Sequence, residues 1–148
     1  MKKFGIIMMF VATFLATACS SVNSVLSSAA TTDAGANGSN CAKALVALYK
    51  SKQANGNISI TNTNDLANML TIINCYNNLS SNKDNSNYKT NFATGMISGG
   101  SGMITTNNAN TLMNKLLSSV NLSGVNAQNI AQKAETVQAI LTLVNALK

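Results

Sequence analysis

IAQKAETVQAILTLVNAL, residues 130–147, is the stretch whose reading decides the fold class. Ile130, Ala134, Val137, Leu141 and Val144 recur at 4-3-4-3 spacing, with Ile140 and Leu147 widening the stripe. That is the period of an α-helix with one apolar face. The stripe is short for a coiled coil, so it reads as one wall of a helical bundle.

Working back from it, the same period returns. Leu112, Met113, Leu116, Leu117 and Val120 form the buried side of a preceding helix, capped by Thr106 or Asn107. Asn121 to Gly124 makes the turn between the two. Tyr88, Phe92, Gly95, Met96 and Gly99 mark a helix over Tyr88 to Ser98, ended by Gly99-Gly100-Ser101-Gly102. Its Gly95 and Gly99 form a G-x-x-x-G, which in a segment too polar to span a membrane points to close helix packing. Leu66, Met69, Leu70, Ile73 and Tyr76 give another stripe, with Thr63 or Asn64 as cap and Asp65 in the first turn. Residues Asn77 to Asn87 read as a loop. Cys41 to Gln53 is the first helix of the domain. It places Leu45, Leu48, Tyr49 and Lys52 on one face and is stopped by Asn55-Gly56. No proline interrupts the chain.

Two β-branched pieces, Ile58 to Thr61 and Met103 to Thr106, each follow a glycine-containing break and precede a helix start. Ile58 to Thr61 alternates apolar and polar, Met103 to Thr106 resembles it in position and type, and the two are expected to pair as a minimal two-stranded β-bridge. The expected architecture is therefore all-α, a compact bundle of four to five helices over residues 41–148, with that bridge at its side.

Ahead of the domain the composition changes. Residues 20–40 are Ser, Ala, Thr, Gly and Asn apart from Asp33, with Val22, Val25 and Leu26 as the large apolar residues, and read as a tether over 19–40. Met1-Lys2-Lys3 is a positive start, and Phe4 to Leu15 is an apolar run broken by Gly5 and Thr13. Ala16-Thr17-Ala18 is a small-residue stretch and Cys19 follows. This is the layout of an export signal over residues 1–18, and the run is shorter than the ~20 residues a membrane span needs. The same bond also satisfies the small-x-small rule for ordinary secretion.

Residues 1–19 resemble the signal of the small lipoproteins of Gram-negative bacteria, in which the cysteine is acylated. The usual leucine three positions before the cysteine is here Ala16, with Leu15 one residue too early. The resemblance implies lipidation of Cys19 and a membrane partner reached through that lipid. With Ser20-Ser21 rather than an acidic residue after the cysteine, it also implies an outer-membrane address.

Without residues 1–18 the chain keeps eight Lys against Asp33, Asp65, Asp84 and Glu135. Arginine is absent, the lysines are scattered and aromatic residues are few, which argues against nucleic acid as a partner. If Cys19 carries lipid, Cys41 and Cys75 remain as an even pair. The midpoint between them, residue 58, lies in the connection between two helices, so folding back there brings them level. A disulfide between them is expected, the alternative being two buried thiols.

The sequence contains no histidine, which removes the commonest general base and the Ser-His and Cys-His nucleophiles. Asp65 reads as a dipole partner and Glu135 as a solvated helix residue. Ser80-Ser81-Asn82-Lys83 matches S-x-x-K but lacks its companion K-T-G. Two cysteines alone cannot fill a tetrahedral metal shell. The expected protein has no catalytic residues, no cofactor and no metal, and binds an envelope protein. The alternatives are a binder of an apolar, lipid-like ligand lined by Leu70, Ile73, Met96, Met113 and Leu141, or an inhibitor of an envelope enzyme.

Overall fold

A computed structural model describes residues 33–147, which form five α-helices and two 3-10 turns. Residues 1–32 and 148, with Cys19 and the export signal among them, lie outside the described residues. Helix α1 is Ala34–Asn55, α2 Thr63–Ser81, α3 Ser86–Gly99, α4 Thr106–Ser118 and α5 Ala134–Asn145. The all-α bundle expected from periodicity is the observed class. Helix α1 runs through its middle, against α2, α3 and α5.

Helix α1 corrects the domain boundary. It starts at Ala34, well ahead of Cys41, so residues 34–40 belong to the domain and not to the tether. Asp33 starts it, its carboxylate accepting the Ala36 N–H at 2.7 Å. At the far end Gly56 adopts φ 79° and donates its N–H to the Lys52 carbonyl at 2.8 Å, the expected stop.

What buries the early turns of α1 is backbone contact with α3, not large side chains. A Cβ on Gly38 would lie 1.9 Å from the Phe92 carbonyl oxygen, and one on Gly95 2.0 Å from that of Gly35. A Cβ on Gly99 would lie 2.4 Å from the Ser39 oxygen. The G-x-x-x-G of α3 therefore serves close packing, as expected, and its partner surface is the Gly35, Gly38 and Ser39 strip of α1. Composition had marked that strip as linker.

Asparagines cap the next two helices. The Asn62 side chain accepts the N–H groups of Asn64 and Asp65 at 3.0 and 3.2 Å, one position before the expected cap. Asn85 accepts that of Tyr88 at 3.0 Å. Helix α2 continues to Ser81, which shortens the expected loop to residues 82–85. Tyr76 and Leu79, both buried, hold that last turn in the core.

The β-bridge is absent, with no strand among the described residues. Side chains of the following helices take backbone donors that a ladder would need. The buried Asp65 carboxylate accepts the Ser59 N–H at 2.9 Å, and Asn108 Oδ1 accepts that of Thr105 at 2.8 Å. Each segment instead plugs the core with one isoleucine, Ile58 or Ile104.

The stretch 130–147 is helical from Ala134. Residues Ile130–Gln132 form a 3-10 turn, and Lys133 at φ −116°, ψ 76° breaks the path between the two. Thr136, Ile140, Leu143 and Val144 are buried, while Val137 and Leu141 are half-buried and Ala134 exposed. The Thr136 hydroxyl donates to the Asn121 carbonyl at 3.0 Å, tying α5 to the Val120–Leu122 turn. Val120, expected on the buried side, is 70% exposed because α4 ends at Ser118.

Candidate functional site

Chemistry-bearing side chains gather where α1, α2 and α3 meet. Asn37 and Cys41 are four residues apart on α1, and Cys75 and Asn78 three apart on α2, so each pair shares a helix face. Tyr88 reaches in from the first turn of α3. Asn37, Cys41 and Cys75 are fully buried. Asn37 organises the cluster. Its Nδ2 donates to the Tyr88 hydroxyl at 2.9 Å, its Oδ1 accepts from Asn78 Nδ2 at 3.3 Å, and its carbonyl accepts from Cys75 Sγ at 3.4 Å. No buried side-chain polar atom among the described residues lacks a partner.

Cys41 lies on α1 and Cys75 on α2, the helices joined through the turn around residue 58. The bond expected between them is not made: both are free thiols. Interaction with Cys41, followed by burial, pushes the Cys75 thiol well above its ordinary value of 9.0. A thiol held this way is not a thiolate at neutral pH and cannot serve as a nucleophile. Burial also raises Tyr88 from 10.0, opposed by its hydrogen bond with Asn37.

Both shifts have the same consequence. An acid whose folded-state value is raised holds its proton more tightly folded than unfolded. Its stabilising share is whole below the unfolded value and disappears as pH climbs through the folded one. The reduced protein should melt at a constant temperature near neutrality and lose stability as pH passes the ordinary cysteine value of 9.0. Circular dichroism melts of Cys75→Ala should show the onset displaced toward the tyrosine range, about pH 10. An unmoved onset would remove Cys75 as its cause.

The remaining candidates are dispersed in role. Asp65 serves the Ser59 amide, and Glu135 is exposed in the first turn of α5. Ser80 and Lys83 sit at the end of α2, where the Lys83 N–H donates to the Ser80 carbonyl at 3.4 Å. Leu70, Ile73, Met96 and Met113 are buried in one continuous core, with Leu141 packed against it. Among the described residues no three His, Cys, Asp or Glu side chains group to hold a metal ion. An open depression of about 440 Å³ lies along the α1–α3 seam, walled by Asp33, Ala36, Ser39, Asn91, Thr94 and Ser98.

Reading the sequence found both cysteines and missed Asn37. The available signal was spacing: Asn37 precedes Cys41 by one helical turn, as Cys75 precedes Asn78. Comparison with protein-family models, with curated proteins and with solved structures finds no match for this chain.

Proposed function

We propose that this chain is a non-catalytic envelope lipoprotein. In this reading it is exported, acylated on Cys19 and held at the outer membrane, with its helical domain binding another envelope protein. The observation that carries the reading is the order of residues 1–19: lysines, an apolar run too short to span, small residues, cysteine. The start of α1 adds a geometric bound. Only residues 20–32 separate Cys19 from the Asp33 cap, and 13 residues of chain reach at most about 45 Å. A partner would have to lie within that distance of the membrane surface, plus the size of the domain itself. No helix among the described residues is long and apolar enough to cross a membrane.

The test is the intact mass of the protein extracted from the membrane fraction of its native cell. The expected mass is that of residues 19–148 plus acyl groups. Crosslinking in intact cells should then join the domain to one discrete envelope protein, and Cys19→Ser should abolish both the acyl mass and that crosslink. An unacylated product in the soluble fraction would overturn the anchor and make this a simply secreted protein.

A further inference from the structure

We propose that Asn55 is a modification site: its side-chain amide is lost by ring closure onto the Gly56 nitrogen, leaving aspartate or isoaspartate at the end of α1. The chain contains the tripeptide Ala-Asn-Gly twice, as Ala36-Asn37-Gly38 and Ala54-Asn55-Gly56, once near each end of the same helix. Asn-Gly is the pairing in which this ring closes most easily, because glycine has no Cβ to crowd its own nitrogen. The local sequence is the same at both sites, so the surroundings decide which one reacts.

Those surroundings are opposite. Asn37 is fully buried. To reach the Gly38 nitrogen its side chain must give up the Tyr88 hydroxyl at 2.9 Å and the Asn78 amide at 3.3 Å. Helix α1 must also part from α3, whose Phe92 carbonyl oxygen lies 1.9 Å from where a Gly38 Cβ would stand. Asn55 and Gly56 are both exposed, and nothing lies within 4 Å of a Cβ built on Gly56. The Asn55 Nδ2 donates only at the helix surface, to Ser51 Oγ at 3.3 Å. Gly56, at φ 79°, donates its N–H to the Lys52 carbonyl at 2.8 Å. Breaking that bond frays the last turn of α1, which costs far less than opening a packed helix seam.

The reaction needs only water. The Gly56 nitrogen gives its proton to solvent and attacks Asn55 Cγ. The side-chain nitrogen takes up a proton and leaves as ammonia, and a five-membered imide remains. Water then adds to one imide carbonyl and breaks its bond to nitrogen. Opening at the side-chain carbonyl leaves aspartate; opening at the main-chain carbonyl leaves isoaspartate, with the chain rerouted through Cβ. One water enters, one ammonia leaves, and nothing is oxidised or reduced. Either product sets a carboxylate at the C-terminus of α1, where the helix dipole disfavours it. Isoaspartate also lengthens the backbone ahead of Gly56 and displaces the N–H that caps Lys52.

The test follows both asparagines in one sample. The full chain is held in mildly alkaline buffer, folded and, in parallel, in denaturant at the same temperature. Peptide mapping by mass spectrometry then measures amide loss and isoaspartate at each position. In the folded protein Asn55 should react at least about tenfold faster than Asn37. In denaturant the two should agree within about threefold, since their neighbours match and the fold is gone. Equal rates in the folded protein would overturn the proposal. So would an Asn55 that stays intact in the folded protein while reacting in denaturant. A preference for Asn55 that persists unchanged in denaturant would also overturn it, because sequence and not the fold would then be its cause.

Discussion

Gly95→Ala and Gly38→Ala should each cost about 3 kcal/mol of stability, lowering the melting temperature of a domain this size by about 10 °C. Alanine is the best helix former, so on propensity alone either change would stabilise by about 1 kcal/mol. The sign reverses because of what the new methyl meets. At Gly95 it would lie 2.0 Å from the Gly35 carbonyl oxygen and at Gly38 1.9 Å from that of Phe92. These are backbone atoms of a neighbouring helix, and no rotamer change relieves them. Helices α1 and α3 must separate, and side chains packed along the seam lose contact with them. Gly35→Ala is the matched control. Its Cβ would meet the Asp33 carboxylate oxygen at 3.3 Å and nothing else closer than 3.8 Å, so it should stay within about 1 kcal/mol of the parent. Thermal melts of the three variants decide the point. If Gly95→Ala melts with the parent, the close approach of α1 to α3 is wrong.

The same seam explains what the sequence made legible and what it hid. Side chains that bury area announce themselves by period, and Leu45, Leu48, Met69, Leu70, Phe92, Met96, Leu112 and Leu116 stand in the core where the stripes placed them. Contacts made by backbone do not. Gly35, Gly38 and Ser39 carry no apolar area to detect, so a helix turn buried against α3 read as linker, and Asn37 was lost with it. The β-bridge failed for a related reason. Ile58 and Ile104 were rightly seen as apolar and β-branched. What decides their conformation is which group takes the neighbouring amides, and those partners, Asp65 and Asn108, lie in the following helices. Helix α5 shows a third limit. Its period was correct, but the buried face runs through Thr136, Ile140, Leu143 and Leu147, one residue off the expected stripe. For the cysteines, arithmetic about where the chain turns led to an expected bond, whereas both are free, buried thiols.

Phe92→Ala should be among the most damaging truncations in the domain, at about 3–5 kcal/mol. The expectation rests on more than the burial of the ring, although the ring is fully enclosed and lies 6.4 Å from that of Tyr88. The cost of a large-to-small change depends on how far the surroundings collapse into the space. Here they are held off. The Phe92 carbonyl already rests where a Gly38 Cβ would be, and Gly95, one turn on, touches the Gly35 backbone. Helix α3 cannot move closer to α1, so the cavity left by the ring stays open. Leu143→Ala offers the contrast. It is equally buried, but α5 is a short helix that packs less extensively on its neighbours and can shift inward. It should fall near the low end of the leucine range, about 2–3 kcal/mol. Denaturant titration of both variants measures the difference. A cost for Phe92→Ala no larger than that for Leu143→Ala would mean that α3 does slide on α1, and that the glycine seam is not the rigid element of this fold. Phe92→Leu, which keeps most of the volume, should cost under about 1.5 kcal/mol if shape alone is at stake.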